Sequence, residues 1–338
     1  MNDRPAILVT GGAGYIGSHC CRALAAAGFE PVVFDNFSTG HRSFVKGPLV
    51  TGDIADRAAL ARAFAQYHIA AVMHFAASSL VGESVADPQK YYVNNLAGTL
   101  SLLAVMREAK CDRLVFSSTG AVYGDADSKA LPEKAACAPI NPYGASKWMI
   151  ERVLADFRGA YGFGSFCLRY FNASGADASG EIGELRDTET HLIPRAMMAL
   201  QGHVGDFAVF GDDYATPDGT AIRDYIHVTD LASAHVLALK LLLQGHSGGA
   251  FNLGTGAGLS VRDILSAIAT ETGRDVPHVI KPRRSGDPTY LVADPTAARE
   301  VLKFRCTHSD LATIIRTAWA WHRKAHPLKA GARLSPTA

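Results

Sequence analysis

The stretch Ala6-Ile-Leu-Val-Thr-Gly-Gly-Ala-Gly-Tyr-Ile-Gly-Ser-His19 decides the fold of this chain. Residues Ala6–Thr10 are apolar and partly β-branched, the composition of a strand buried on both faces of a parallel sheet. The glycines after it satisfy two spacings together. Gly12, Gly14 and Gly17 fit G-x-G-x-x-G, and Gly11, Gly14 and Gly17 fit G-x-x-G-x-x-G. Glycine at these points allows a tight turn, close approach of the backbone to a pyrophosphate, and close packing of the next helix on the strand. A helix beginning near Gly14 aims its free N–H groups and its dipole at the phosphates. An ordinary Gly-rich turn shares the spacing, so the context has to decide. A second apolar run, Pro31–Phe34, ends in Asp35, 18 residues after Gly17, close to where an acid grips the adenosine ribose diol. A carboxylate there repels a 2′-phosphate, which favours NAD over NADP.

The 338 residues leave room for one large domain, or for one domain with a smaller lobe grafted on. With 33 basic against 32 acidic residues and no block of like charge, no footprint for nucleic acid or an anionic membrane is expected. Binding of phosphate then falls to a few chosen arginines. Cys20, Cys21, Cys111, Cys137, Cys167 and Cys306 are scattered without a C-x-x-C pair and read as buried thiols of a reducing cytosol. His322 and His326 stand four apart without an evident third ligand, so no metal is expected. Ala6–Thr10 is too short for a signal peptide, and Leu231–Leu243 is interrupted by His235 and Lys240. A soluble, cytoplasmic protein is the expectation.

Further strands are expected at Leu49–Thr51, Ala71–Phe75, Arg113–Ser118 and Phe166–Phe171. Helices are expected at about 56–67, 88–109 and 141–161, alternating with those strands. That rhythm means βαβ units and a doubly wound parallel sheet of Rossmann type, an α/β fold. From Ala173 to about Gly219 the rhythm breaks, and Gly, Asp and Pro become frequent. This segment reads as a smaller substrate lobe over the carboxyl ends of the strands, where ligands of open α/β sheets bind; a plain surface excursion is the alternative. The division expected is 1–172 for the cofactor domain, with segments of about 221–256 returning to it, and 173–338 mainly for the lobe. Helices are expected again at Thr229–Leu243, Val261–Thr272 and Leu311–Lys324.

Tyr143-Gly-Ala-Ser-Lys147 is the sharpest chemical constellation. Positions i and i+4 share one helix face, so the lysine cation is expected to stabilise a phenolate and pull the tyrosine pKa down from about 10. A tyrosine so tuned takes a proton from a sugar hydroxyl and returns it. Thr119, at the end of the strand that closes in Ser117-Ser-Thr119, is placed to bridge substrate and Tyr143.

The set Thr10–Gly17, Asp35-Asn36, Gly52-Asp53, His74-Phe-Ala-Ala77, Ser117–Thr119, Tyr143…Lys147 and Arg169-Tyr-Phe-Asn172 resembles the extended short-chain dehydrogenase/reductase family. Within it, Val81–Ser84, Tyr91–Asn95, Asp218–Val228, Asn252–Gly256 and Arg283-Arg-Ser-Gly-Asp287 resemble the UDP-glucose/UDP-galactose 4-epimerase branch, over nearly the whole length. Glu184–Pro194 is similar to epimerases serving bacterial exopolysaccharide synthesis.

The resemblance implies an NAD site lined by Gly11, Gly14, Tyr15, Ile16, Gly17, Asp35, Asn36, Asp53, Ile54, Phe75, Ala76, Asn94, Lys147 and Tyr170. It implies that Asn172, Leu192, Phe210, Arg223, Arg284, Asp287 and Leu291 hold a UDP-sugar alongside Thr119 and Tyr143. Tyr143 is implied as the base, with Thr119 its hydroxyl partner and Lys147 its tuner, in a 4-epimerisation through a transient 4-keto sugar. Leu291 is implied to border the sugar's 2-substituent, with Tyr290 the alternative register. Two departures stand out: Thr119 where many members have serine, and Ser79 where some have a lysine near the cofactor, which is expected to loosen NAD. A UDP-pentose or UDP-N-acetylhexosamine epimerase is the alternative. Gly120 and Ala121 stand where dehydratases and decarboxylases carry acids, and the intact Tyr143 and Lys147 argue against an inactive NAD-binding protein. The family also implies a homodimer built on helices near 90–109 and 143–161.

Overall fold

The computed structural model describes residues 4–126, 130–284 and 287–327. The first half alternates strand and helix as its periodicity demands. It runs β1 (Ala6–Thr10), α1 (Tyr15–Ala26), β2 (Glu30–Asp35), β3 (Leu49–Thr51), α2 (Arg57–Tyr67), β4 (Ile69–His74), α3 (Val81–Ala86), α4 (Pro88–Tyr91), α5 (Gly98–Glu108), β5 (Arg113–Thr119), α6 (Pro142–Tyr161) and β6 (Gly164–Tyr170). The second half opens with β7 (Asn172–Ser174), α7 (Leu192–Leu200), β8 (Ala208–Phe210), β9 (Ile222–Arg223) and β10 (Tyr225–His227). It continues with α8 (Val228–Leu243), β11 (Gly248–Leu253), β12 (Leu259–Ser260), α9 (Val261–Thr272), β13 (Val279–Lys281), β14 (Tyr290–Leu291), α10 (Thr296–Val301) and α11 (Leu311–Ala325).

The central sheet has seven strands in the order β11-β6-β5-β4-β1-β2-β3, all parallel. Its core strands are apolar because both faces are covered. Ile7, Val9 and Leu168 pack with α1 and α8 on one side, and Leu8, Phe34 and Phe116 pack with α2, α5 and α6 on the other. The strand order reverses between β1 and β4, so the crevice between them opens at the carboxyl edge, where Gly11 and Ala76 lie. The lobe has its own apolar cluster, built from α7, α9 and α11 around Met197, Ile264 and Ile314.

One expectation is modified. The helical stretch over 88–109 is not one α-helix, because a π-turn at Tyr92–Ala97 separates α4 from α5 and carries Asn94 and Asn95. Such a turn widens the helix locally and re-aims its side chains. The seventh strand, β11, pairs along β6 from Gly248↔Ser165 to Leu253↔Tyr170. A Cβ at Gly248 would lie 1.8 Å from Ser165 O, so this edge admits no side chain at that point.

Candidate active site

The turn after β1 is shaped by close backbone approach. Gly11 has φ +72°, and a Cβ on it would meet Ala76 N at 2.6 Å; one on Gly17 would meet Gly11 O at 2.2 Å. Phe75 and Ala76 both donate their N–H to Thr10 O, at 2.9 and 3.1 Å, which locks β4's loop onto the turn. The side chain of Phe75 packs on the ring of His235 at 4.9 Å, so this residue offers the crevice its backbone. Gly14 is the N-cap of α1 and no side chain caps the helix, which leaves the first-turn N–H groups of Tyr15 and Ile16 for an anion. Asp35 is held beside the turn by Ala13 N at 2.9 Å and Phe37 N at 2.8 Å. Asn36 Nδ2 donates to Asp53 Oδ2 at 2.8 Å, joining the ends of β2 and β3. Ile54 is buried against Gly98, whose Cβ would sit 2.7 Å from it. Asn94 donates to Ser78 Oγ at 3.3 Å, while Asn95 donates to Ser146 Oγ at 3.1 Å and so ties this loop to α6. A cradle that only glycine fills, an uncapped helix N-terminus and a carboxylate at the end of β2 fit a dinucleotide with a free 2′-hydroxyl.

Tyr143 stands on the first turn of α6, which Asn141 caps through Gly144 N at 2.9 Å and Pro142 opens. Thr119 ends β5, accepts from Ala121 N at 3.1 Å and hydrogen-bonds Tyr143. Burial raises the Tyr143 phenol above its ordinary pKa; the Thr119 hydrogen bond and the charge of Arg186 pull it part of the way back. Lys147 is one turn on. It donates to Ser117 O at 2.9 Å and lies 4.8 Å over the Phe116 ring, and burial pushes its pKa down to about 7. Arg186 thus adds a positive charge near Tyr143 that the i, i+4 spacing does not reveal, while burial over the apolar strand weakens the hold of Lys147 on its own proton. Tyr170 meets Ser117 Oγ in a short hydrogen bond.

Across the crevice, Arg223 Nη2 pairs with Asp287 Oδ1 at 2.8 Å, and the Arg284 guanidinium lies 3.8 Å over the Phe210 ring. Leu291 is registered with Arg223 in β14–β9 and packs against the apolar cluster of Val122, Tyr123 and Leu131. Tyr290 instead borders a small cavity with Asp125 and Ala126. Leu192 opens α7, whose N-terminus has no side-chain cap. Asn172 opens β7, and its Nδ2 is buried without a hydrogen-bond partner, a donor that a ligand would satisfy. Ser285 and Gly286 of the Arg283–Asp287 motif lie outside the described residues.

Sequence reasoning missed a charged group on the segment before α7. Glu184 Oε1 accepts from His191 Nδ1 at 2.6 Å and from Arg186 Nε at 3.0 Å. Its carboxyl, though buried, is held well below the usual range by those two cations. Ligand-capable atoms of Glu184, Glu189 and His191 lie within 4.8 Å of one another, yet Arg186 and His191 already neutralise Glu184. The signal lies inside Glu184–Pro194, where Glu184, Arg186, Glu189 and His191 alternate charge within eight residues.

A family model, the NAD dependent epimerase/dehydratase family, matches residues 7–254. The chain belongs to that family. It is 51% identical over 321 residues to a UDP-glucose 4-epimerase of Rhizobium leguminosarum bv. trifolii, covering 95% of this chain and 98% of that relative. Among solved structures it is similar to UDP-glucose 4-epimerase from Brucella ovis in complex with NAD, at a TM-score of 0.92 and 54% identity, over 93% of this chain and 97% of the other. It also matches UDP-glucose-4-epimerase from Stenotrophomonas maltophila with bound NAD and formylated UDP-arabinopyranose, at a TM-score of 0.92 and 41% identity, over 95% and 99% of the two chains. Family membership and the Gly-rich cradle agree with each other: the matched residues run from β1 to the end of β11 and include every strand of the central sheet.

Proposed function

We propose that this protein is an NAD-dependent UDP-glucose 4-epimerase that interconverts UDP-galactose and UDP-glucose. The observation that carries the reading is the hydrogen-bonded meeting of Thr119 and Tyr143 at the carboxyl edge of the sheet, between a dinucleotide cradle and an arginine-bearing lobe. NAD⁺, when bound, supplies a hydride acceptor and donor that ends each turnover unchanged. Tyr143 takes the proton of the 4-hydroxyl, with the Thr119 hydroxyl bridging it to the sugar, and returns it to the same oxygen after the 4-keto form has turned over. Arg223 and Arg284 suit the UDP pyrophosphate, because a guanidinium presents paired donors to phosphate oxygens. Asp287 and Phe210 orient those arginines, and the free Asn172 amide offers a further donor.

Dehydration is disfavoured by space as well as by sequence. A Cβ on Gly120 would lie 2.7 Å from the Phe171 ring, so no carboxylate fits beside Thr119 at that position. Residues 1–172 form the cofactor domain, and α8 and β11 return to its sheet; the rest of 173–338 is mainly the UDP-sugar lobe. The enzyme is a homodimer in the cytoplasm and serves galactose metabolism or supplies exopolysaccharide precursors. Exposed Val93, Leu100 and Met149, on the π-turn, α5 and α6, support the dimer face, and six free cysteines agree with a reducing compartment.

The test is to mix purified protein with UDP-galactose and no added NAD. UDP-glucose should form. Its absence, together with a protein that releases no nucleotide on denaturation, would sink the reading. Running UDP-arabinose and UDP-N-acetylgalactosamine alongside separates the pentose and N-acetylhexosamine alternatives.

A further inference from the structure

The segment between β7 and α7 crosses the mouth of the cofactor crevice and is fastened on both sides. Tyr15 on α1 donates its hydroxyl to Gly175 O at 2.6 Å, and Arg22 pairs with Asp177 at 2.9 Å and Glu181 at 2.5 Å. His41 bridges the strap to the cradle itself: its ring bonds Leu185 O at 3.0 Å, while its backbone N–H donates to Ala13 O at 2.9 Å. From behind, Trp321 Nε1 donates to Glu184 O at 2.7 Å. Two consecutive backbone carbonyls, Glu184 O and Leu185 O, are thus pinned, and Arg186 is the next residue.

The Arg186 side chain runs from this strap toward the carboxyl edge of the sheet. Nε is set by Glu184 at 3.0 Å, and Nη1 lies 3.5 Å from Ser79 Oγ, on the loop that follows Phe75 and Ala76. The guanidinium has five N–H donors, so these two contacts leave it able to bind an anion. Its charge also acts on Tyr15, Tyr143 and Tyr170, so it is within electrostatic reach of both the first turn of α1 and the reactive tyrosine. Neither the turn 10–17 nor the loop 75–80 contains a lysine or arginine. Two phosphates at a helix N-terminus without a nearby cation would rely on backbone donors alone.

We propose that Arg186, held by Glu184 and carried on a strap from the other lobe, is the side-chain cation that grips the cofactor's pyrophosphate, in place of a cation on the loop at Ser79. NAD is then retained by both lobes, and the loosening expected from Ser79 does not occur. The proposal rests on the NAD reading above.

The experiment measures NAD⁺ affinity of stripped protein and NAD carried through purification, for wild type, Arg186→Ala and Arg186→Ala with Ser79→Lys. A charge-assisted contact to phosphate is worth roughly 10- to 100-fold in affinity. Arg186→Ala should therefore weaken NAD⁺ binding by about that factor and leave UDP affinity within about twofold, and adding Ser79→Lys should recover most of the loss. Unchanged NAD⁺ affinity in Arg186→Ala overturns the proposal. So does a loss of UDP affinity instead, which would assign the cation to the substrate. A loss of NAD⁺ affinity that Ser79→Lys fails to recover, accompanied by a lower unfolding temperature, overturns it in favour of a role in holding the strap. Failure of the NAD reading itself would show in the wild type, which would then neither carry nor bind NAD⁺.

Discussion

Lys147 Nζ donates a 2.9 Å hydrogen bond to the carbonyl oxygen of Ser117, two residues before Thr119 on the same strand. This bond fixes α6 against the end of β5, and so sets the distance between Tyr143 and its hydroxyl partner. It also holds an ammonium in a place where little else solvates it: the side chain is buried, with the Phe116 ring beneath. Burial favours the neutral amine, which is why the pKa falls to about 7.

Stability of the cofactor-stripped protein should reflect that burial. Between about pH 7 and the lysine's ordinary pKa near 10.4, the unfolded chain binds a proton that the folded chain does not. Stability therefore rises with pH through this window, by at most ~1.4 kcal/mol per pH unit from this group. Lys147→Met should lack that rise. Urea unfolding of both proteins between pH 7 and pH 10 checks it, and parallel curves would show that Lys147 is charged in the fold throughout.

Tyr143→Phe should lower turnover by roughly 10²–10⁴, because the group that moves the proton is gone, while UDP binding barely changes. A variant within about threefold of wild type would assign the base elsewhere.

Thr119→Val should act through the same phenol. The Thr119 hydrogen bond favours the ionised form of the Tyr143 phenol, so its loss should push the phenol's pKa further up. The acidic limb of the pH–rate profile should move upward, and Thr119→Ser should bring it back. If the rate falls with an unmoved limb in Thr119→Val, the hydroxyl positions the sugar and does not tune Tyr143.

Glu151 on α6 and Arg169 on β6 form a buried pair with the Nη2–Oε2 distance at 2.6 Å and a second contact from Nε at 3.0 Å. Tyr123 and Ser118 complete the network. Glu151→Ala leaves a guanidinium uncompensated in the interior and should cost about 3–5 kcal/mol; changing both residues to apolar ones of similar volume should cost much less. Chemical denaturation of the two variants tests this, and equal losses would contradict it.

β-strand alternation turns Tyr290 and Leu291 to opposite sides, Tyr290 bordering a cavity with Asp125 and Leu291 packing against the Val122 and Tyr123 cluster, and we place the sugar's 2-substituent against Leu291. Activity on UDP-N-acetylgalactosamine should be measurable but weaker than on UDP-galactose, since a small steric mismatch is worth roughly 10–200-fold. Leu291→Tyr should abolish the former and spare the latter. If that variant keeps the ratio while Tyr290→Ala alters it, the pocket wall is the neighbouring residue.

The sequence by itself determined whatever depends on neighbours along the chain. The apolar runs at Ala6–Thr10 and Arg113–Ser118 became buried parallel strands, Asn141-Pro142 started α6, and helical spacing set Tyr143 and Lys147 one turn apart. Gly11 and Gly17 were legible because backbone crowding leaves only one residue type for such contacts. Tertiary structure decided what depends on residues far apart. The depth at which Lys147 sits, and hence its weak hold on a proton, comes from strands packed beneath α6 and has no local signature. β11 could be recognised as the seventh strand only once Gly248 met Ser165 across a gap that no Cβ would fit. Arg186 reaches Ser79, a residue 107 positions away, because a strap pinned by His41 and Trp321 carries it there. Periodicity records which face of an element is buried, while the charges that meet across a crevice are set by how the elements close on one another.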